Sequence, residues 1–263
     1  MEKTLQVERY LTIMNIIKKK KTVKIDELSA ILKVSNNTVR RDLTNLEKQG
    51  LLQRSHGGAV FTDGDELTKP YDIRLHEGFT EKEIIGRCAA RYVEPGSTII
   101  IDAGTTTEQL ARHLVDMKDL TVLTNSIKIA ETLAANPNIV VIISGGIYQQ
   151  SYQHLVGLPA EQFFAHIHVD KVFLSSRAIS IEQGLTSSNL SVIPVKRKMI
   201  EAAKEAIVLV DSTKFEKVGI SQVVPLNDIR KIITDSKISK EIALRLKEMG
   251  IEVIIADERS EAL

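Results

Sequence analysis

The sequence predicts an α/β protein in two unequal parts: a small head of three helices and a glycine-tipped hairpin, then a larger domain built on a mostly parallel sheet. Three observations carry this. Residues 1–61 place apolar stripes at helical spacing between short turns, and hold 12 Lys/Arg against 6 Asp/Glu. The remainder holds 23 Lys/Arg against 28 Asp/Glu and repeats a strand-then-helix rhythm. At 263 residues and 43% hydrophobic content, the chain is too long for the head alone and has ample apolar mass for a second core.

Within the head, Val7, Tyr10, Leu11, Met14 and Ile17 stripe a first helix that ends in Lys18-Lys19-Lys20-Lys21, where cations suit the helix dipole. Leu28, Ile31 and Leu32 stripe a second helix. Lys33-Val34 forms a short turn, and Ser35 stands at an N-cap position for a third helix whose apolar positions are Val39, Leu43 and Leu46. At about 100° per residue, Asn37, Arg40, Arg41, Thr44 and Lys48 project from the opposite side. Gly50 is placed as a C-cap, and Leu51-Leu52 opens a strand that turns at Gly57-Gly58. Helix, tight turn, helix and hairpin describe a recognition helix with its wing. A basic pair alone is more often a solvated face, but this setting and the basic head point to a polyanion contact. The candidate DNA contacts are Ser35, Asn36, Asn37, Thr38, Arg40, Arg41, Thr44, Arg54 and His56.

From Thr62 the chain loses periodicity and gains turn formers, so residues 62–79 read as a linker between a domain over 1–61 and one over 80–263. Thr80, with Glu83 three residues on, caps a helix running to near Pro95-Gly96. Short β-branched runs follow at Ser97–Ile101, Leu120–Leu123, Ile139–Ile143, Lys171–Leu174, Ala206–Val210, Lys231–Ile233 and Glu252–Ile255. Helical stretches lie between several of them, at Thr106–Val115, Ile127–Ala135, Val195–Lys204 and Lys240–Met249. Such alternation implies a parallel sheet covered on both faces, with ligands at the carboxyl ends of the strands.

Four loops at those ends carry chemistry. Asp102-Ala103-Gly104-Thr105-Thr106-Thr107 combines a close-approach glycine, hydroxyl donors and a helix start suited to an anion, while Asp102 can accept hydrogen bonds from ligand hydroxyls. Thr124-Asn125-Ser126 is polar between strand and helix, and Ser144-Gly145-Gly146 is either a close-approach site or a plain turn. Asp211-Ser212-Thr213-Lys214 offers a lysine that can place a point charge on phosphate. Together they describe a pocket for a small, hydroxylated, phosphorylated molecule.

The segments VSNNTVRRDLTNLEKQGLL and RSHGGAV, with IIIDAGTTT, VLTNS, VIISGG, VGLPAE, GLTSSNL, VKRKMI and VLVDSTKF, resemble the DeoR family of bacterial transcription regulators over nearly the whole chain. The resemblance implies an N-terminal winged helix-turn-helix and a C-terminal domain similar in fold to ribose-5-phosphate isomerase that senses a sugar phosphate. It implies effector roles for Asp102, Gly104, Thr105, Thr106, Thr107, Asn125, Gly146 and Lys214; Thr124, Ser126, Gly145 and Arg177 complete the candidate set. Two stretches depart from the family pattern. Ser175-Ser176-Arg177-Ala178 replaces a Gly-Ala-Asp-Gly-like turn, where Arg177 adds an anion contact of its own, and Ser191-Val192-Ile193-Pro194 replaces acidic residues.

The expectation is a sequence-specific repressor of a sugar-utilisation operon, controlled by a phosphorylated sugar and acting on double-stranded operator DNA as a dimer or tetramer. The rival is a DNA-binding head fused to an active isomerase with Asp102 as its acid/base group. No cofactor or metal site is expected, since His166 and His168 have no carboxylate or cysteine at ligand spacing. The lone Cys88 reads as a core residue, and the lack of any long apolar run points to a cytoplasmic protein with no membrane partner.

Overall fold

The computed structural model describes residues 6–48, 51–55, 57–61 and 71–257, without the side chains of Val7, Lys18, Lys48 and Phe61. The expected C-cap Gly50, the DNA contact His56 and residues 62–70 of the expected linker lie outside the described residues. Contacts divide the chain into two units, Met1–Glu77 and Gly78–Leu263.

In the first unit, α1 (Gln6–Lys20), β1 (Thr22–Lys24), α2 (Ile25–Leu32), α3 (Asn36–Lys48), β2 (Leu52–Ser55), β3 (Gly58–Phe61) and α4 (Tyr71–His76) follow in order. The β2–β3 hairpin is the wing, and β1 pairs antiparallel on the other side of β3. The core joins Ile13, Met14 and Ile17 of α1, Leu28 and Leu32 of α2, and Val39, Leu43 and Leu46 of α3. Lys33 takes a left-handed conformation at the end of α2, and the Thr38 N–H donates to Ser35 Oγ at 3.2 Å, so the turn and the cap form as the sequence requires. Ile31, expected in the α2 stripe, is instead 47% exposed, because an eight-residue helix turns only a narrow face to the core.

A buried ion pair locks this unit. Arg9 on α1 donates from Nε to Asp42 Oδ2 at 2.8 Å and from Nη2 to Oδ1 at 3.2 Å, across a carboxylate with no solvent exposure. The hydrogen bond to Asp42 raises the Arg9 pKa, against the opposing effect of burial. Asp42 lies on the inner side of α3, so the fork fixes the roll of that helix and therefore which residues it shows to solvent.

Residues 62–79 are not all linker. Tyr71–His76 is a helix with Tyr71 and Ile73 buried, and Ile73 belongs to the core of the first unit. Six residues are too few for periodicity to show in sequence. Helix α5 (Phe79–Ala90) starts one residue ahead of Thr80, which sits inside its first turn rather than capping it.

The second unit continues with β4 (Thr98–Ile101), α6 (Thr105–His113), β5 (Leu120–Thr124), α7 (Ile127–Leu133), β6 (Ile139–Ile143), β7 (Ile147–Gln149), β8 (His154–Val156), α8 (Leu158–Ala165), β9 (Val169–Ser175), β10 (Ala178–Ser180) and β11 (Gly184–Ser187). It ends with α9 (Ile193–Glu201), β12 (Ala203–Leu209), β13 (Ser221–Val224), β14 (Lys231–Asp235), α10 (Lys240–Glu248) and β15 (Glu252–Ala256). Every one of the seven β-branched runs is a strand of a single parallel sheet, in the order β15-β14-β12-β9-β4-β5-β6. Successive side chains alternate between two cores. Ile99, Ile101, Val122, Phe173 and Ile207 pack with Ile85, Cys88, Leu110 and Leu133 of α5–α7. Ile100, Leu123, Val172 and Val208 pack with Phe164, Met199 and Leu246 of α8–α10. The helix expected over Val195–Lys204 stops at Glu201, since Ala203 and Lys204 already belong to β12. Beside this sheet lie a β7–β8 hairpin and an antiparallel β10-β11-β13 sheet.

Strand order reverses between β4 and β9, because β5 and β6 extend from one side of β4 while β9, β12, β14 and β15 extend from the other. Helix α6 follows β4, whereas β9 runs on into β10 of the small antiparallel sheet, so the chain leaves the carboxyl ends of these adjacent strands along different paths.

Removing one partner of a buried ion pair leaves the other charge without compensation. Asp42→Ala should therefore destabilise the first unit by about 3–5 kcal/mol. Denaturant unfolding monitored in this unit checks the figure, and a midpoint equal to that of the unaltered protein contradicts the locking role.

Candidate functional site

On α3 the buried pair and the apolar stripe turn the other face outward, where Asn37, Arg40 and Arg41 are exposed. Arg40 Nη1 donates to Asn37 Oδ1 at 3.1 Å, and Thr44 Oγ1 donates to the Arg40 carbonyl at 2.8 Å. From the wing, Arg54 Nη1 reaches Thr44 Oγ1 at 2.8 Å, while its backbone N–H donates to Glu47 Oε1 at 2.8 Å. Arg54 thus ties the wing to the helix and extends the same basic surface. Asn36 donates to Asp26 Oδ1 at 2.8 Å and braces α3 on α2, and Ser35 and Thr38 form the cap. Three guanidinium groups, an amide and a hydroxyl share this surface, the donors suited to base edges and phosphates.

The larger unit gathers its polar groups at the carboxyl ends of β4 and β9. Asp102 follows β4 with no solvent exposure. Its Oδ2 accepts the Ser175 N–H and the Ser175 hydroxyl, each at 3.1 Å, and the Lys196 ammonium. Lys196, also buried, further donates to the Ser175 carbonyl at 2.8 Å. Asp102 Oδ1 is buried with no hydrogen-bond partner among the described residues. Such an atom is costly unless a ligand donor meets it. Gly104 then precedes α6, whose start has no side-chain cap. The backbone N–H groups of Thr105, Thr106 and Thr107 lie in the first turn, where no intrahelical acceptor exists. Acceptor, ammonium and an uncapped helix start lie side by side. This arrangement can hold hydroxyl groups and an anion at once.

The other residues expected here take different positions. Thr107 Oγ1 donates to the carbonyls of Asp102 at 2.6 Å and Gly104 at 3.0 Å and so braces the loop. Asn125 is a clamp: its Oδ1 accepts the Ala103 N–H at 2.9 Å, and its Nδ2 donates to the Leu155 carbonyl at 3.2 Å. Thr124 donates to the Ile101 carbonyl, and Ser126 caps α7 by accepting the Ile129 N–H. Gly145 and Gly146 both have positive φ; at Gly146 an added Cβ would lie 2.6 Å from the Val156 carbonyl oxygen, so the pair makes the turn into the hairpin. The Lys214 ammonium stands 3.7 Å from Asp211 Oδ2, at the end of β12 and two strands from β4.

Arg177 lies over the Tyr152 ring, 5.0 Å from its centroid, and Tyr152 stacks on His154 with centroids 5.3 Å apart. Gln149 Oε1 is 2.9 Å from His154 Nε2 and accepts the Asn189 amide at 2.9 Å. His154 bridges to Ser126, so this column belongs to the same end of the sheet as the Asn125 clamp. Sequence reasoning missed Ser175, Lys196, Gln149, Tyr152, His154 and Asn189. The signal for Lys196 was available in VKRKMI, and for Asn189 in GLTSSNL, yet no single residue in either stretch declared a role.

Comparison with known proteins agrees with both halves. Residues 9–64 match the DeoR-like helix-turn-helix domain, and residues 77–236 match the DeoR C terminal sensor domain. The chain belongs to the DeoR family of transcription regulators. This regulator is similar to the HTH-type transcriptional regulator GolR of Listeria innocua, at 34% identity over 95% of this chain and 98% of that one. It is likewise similar to the HTH-type transcriptional repressor GlcR of Bacillus subtilis, at 33% identity over 96% and 97% of the two chains. A putative aga operon transcriptional repressor of Escherichia coli O157:H7 is 30% identical over 95% and 94%. Among solved structures, RipA from Yersinia pestis overlaps 64% of this chain and 48% of its own, with 14% identity and a TM-score of 0.42. Ribose 5 phosphate isomerase A from Neisseria gonorrhoeae overlaps 51% and 52%, with 15% identity and a TM-score of 0.37. No helix among the described residues of this DeoR-family regulator is long and apolar enough to cross a membrane.

Gly104 tests how tightly the sensor loop is built. A Cβ there would fall 2.2 Å from Ser175 Oγ and 2.4 Å from Ser175 Cβ, so Gly104→Ala has to push Ser175 off Asp102. The expected cost is about 1–3 kcal/mol of stability, the usual size of an overpacking defect. Thermal unfolding of the variant measures it, and an unchanged melting temperature would mean that the loop has room to spare.

Proposed function

We propose that this regulator is a repressor of a sugar-utilisation operon, which reads operator DNA with α3 and the wing and is released or retained by a phosphorylated sugar in the larger unit. The head supports DNA reading through the exposed Arg40 and Arg41 beside Asn37, with Arg54 alongside. The name of one relative, an aga operon repressor, is in keeping with operon control. The observation that carries the ligand class is Asp102, whose Oδ2 is saturated by Ser175 and Lys196 while the buried Oδ1 keeps its acceptor capacity. In this proposal sugar hydroxyls donate to Oδ1, and the phosphate lies at the start of α6 among the N–H and hydroxyl groups of Thr105 and Thr106, balanced by Lys196. The protein works in the cytoplasm as a homo-oligomer, since two-fold symmetric operators call for paired winged helices. Control is linkage: the ligand binds one arrangement of the oligomer more tightly and so shifts operator affinity.

The isomerase alternative has less support. Two other carboxylates at this sheet end are engaged in turns, with Asp211 accepting the Thr213 N–H and Asp235 accepting those of Ser212 and Lys237, and Glu108 in the first turn of α6 accepts from Arg112 at 2.7 Å. Asp102 and Glu108 each keep one buried oxygen without a hydrogen-bond partner among the described residues, but three donors fix the other oxygen of Asp102 and Arg112 holds that of Glu108, which supports acceptor roles over proton transfer.

Arg40→Ala should weaken operator binding by roughly 1–3 kcal/mol and relax sequence preference, whereas loss of a phosphate contact would weaken all sequences alike. Gel-shift titration at fixed salt reads the difference, and undiminished affinity removes Arg40 from the interface. For the sensor, a panel of pentose and hexose phosphates should include compounds that raise the melting temperature by mass action and are recovered chemically unchanged. Isomer formation abolished by Asp102→Asn would establish the enzyme instead. Lys196→Met should abolish the ligand-induced melting shift. If Lys214→Ala abolishes it while Lys196→Met does not, the phosphate lies over β12.

A further inference from the structure

Parallel sheets are normally covered at both faces, and exposed edges are normally blunted by charge, proline or brevity. The two edges of this sheet differ. Edge strand β15 opens with Glu252, which pairs with Lys231 at 3.3 Å. Edge strand β6 is Ile139-Val140-Val141-Ile142-Ile143, paired only with β5 among the described residues. No Asp, Glu, Lys or Arg occurs from residue 132 to residue 153, in a chain of which 26% is charged. Ile139 and Val141 pack under the α5–α7 face, so Val140 and Ile142 point to the other face, where they are 56% and 39% exposed.

The exposed surface continues past the strand. Ile143, Ile147, Tyr148 and Leu158 are all exposed, and Ile147 Cδ1 comes within 3.5 Å of the Cβ position of Gly157, directly before Leu158. These six side chains present on the order of 500 Å² of apolar surface, near the upper end of what a monomer carries. Two such patches face to face bury about 1,000 Å², the lower bound of a specific interface, before any backbone pairing is added.

We infer that the β6 edge and the adjoining Ile147–Tyr148 and Leu158 surface dock a second copy of this chain; the inference rests on the proposed homo-oligomer and names its surface. A strand edge is self-complementary. A two-fold axis beside β6 pairs it antiparallel with its counterpart, each N–H meeting a carbonyl, and joins the two sheets into one. The absence of charge over residues 132–153 fits a surface whose centre is dry in the assembly, where charged groups are depleted. A partner of different chemistry would call for complementary charges, and this stretch offers none. The hairpin also links the patch to the sensor site: β7 carries Ile147 and Tyr148, while β8 carries His154 and the Leu155 carbonyl held by Asn125.

Sedimentation velocity without DNA or ligand tests the inference. The unaltered chain should sediment as a dimer or tetramer at micromolar concentration, and the double variant Val140→Lys/Ile142→Lys should fall to half that mass or raise the dissociation constant at least tenfold. Ile220→Lys, at a side chain 74% exposed elsewhere in this unit, should leave the mass unchanged. Hydrogen exchange of the unaltered protein supplies a second reading, in which protection over residues 139–148 rises with protein concentration. A monomeric unaltered chain, a double variant of undiminished mass, or exchange over 139–148 that ignores concentration overturns the inference. Operator binding and ligand-induced melting are measured separately. A chain that passes both but does not associate through β6 therefore overturns the docking surface and leaves the regulatory proposal standing.

Discussion

A single carboxylate organises the larger unit. Asp102 sits without solvent exposure at the point where strand order reverses, and a buried carboxylate costs several kcal/mol unless its charge is met. It is met by groups from two other elements: the backbone and hydroxyl of Ser175 at the end of β9, and the ammonium of Lys196 in the first turn of α9. The loop after β4, the end of β9 and helix α9 are therefore held to one point. Because all three donors converge on Oδ2, the geometry of Oδ1 is set before any ligand arrives. Preorganisation of this kind spares a ligand the entropy of ordering its own receptor.

The head repeats the device in another form. Arg9 and Asp42 spend their charges on each other inside the fold, and the outcome is felt on the opposite side of α3, where Arg40 and Arg41 point outward. In both units the buried pair is structural and sets the geometry of the polar groups beside it. Charge inside these cores fixes orientation rather than adding net stability, which is the better supported use of buried ion pairs.

Much of this was legible in the sequence. Short runs rich in β-branched and aliphatic residues, as at Ile139–Ile143, favour a strand of a covered parallel sheet, and all seven such runs are strands of it. The turn from Lys33 to Ser35 was legible because a left-handed C-cap and a serine N-cap are local requirements. Three-residue strands such as β7, β8 and β10 show no period, and α4 is too short to show one. Pairing is harder still. Nothing local marks Asp42 as the partner of Arg9, or Lys196 as that of Asp102, since those partners are 33 and 94 residues apart. Thr107, Thr124 and Asn125 show another limit: their places at strand ends suggest ligand contacts, but the bracing bonds they make to the backbone around Asp102 emerge only in the folded chain.

The β7–β8 hairpin and the β10-β11-β13 sheet both hang from the carboxyl ends of the seven-stranded sheet and add no strand to it. Their inward-facing residues Val156, Ile179, Leu185, Val223 and Val224 join the α8–α10 core, but none of them sets the register of the seven strands. The column of Arg177, Tyr152 and His154, held by Gln149 and Asn189, stands on these appendages and outside the apolar layers, whereas Asp102 and Lys196 stand on the scaffold. Substitutions in that column can therefore change the chemistry of this end of the sheet while the seven strands keep their register.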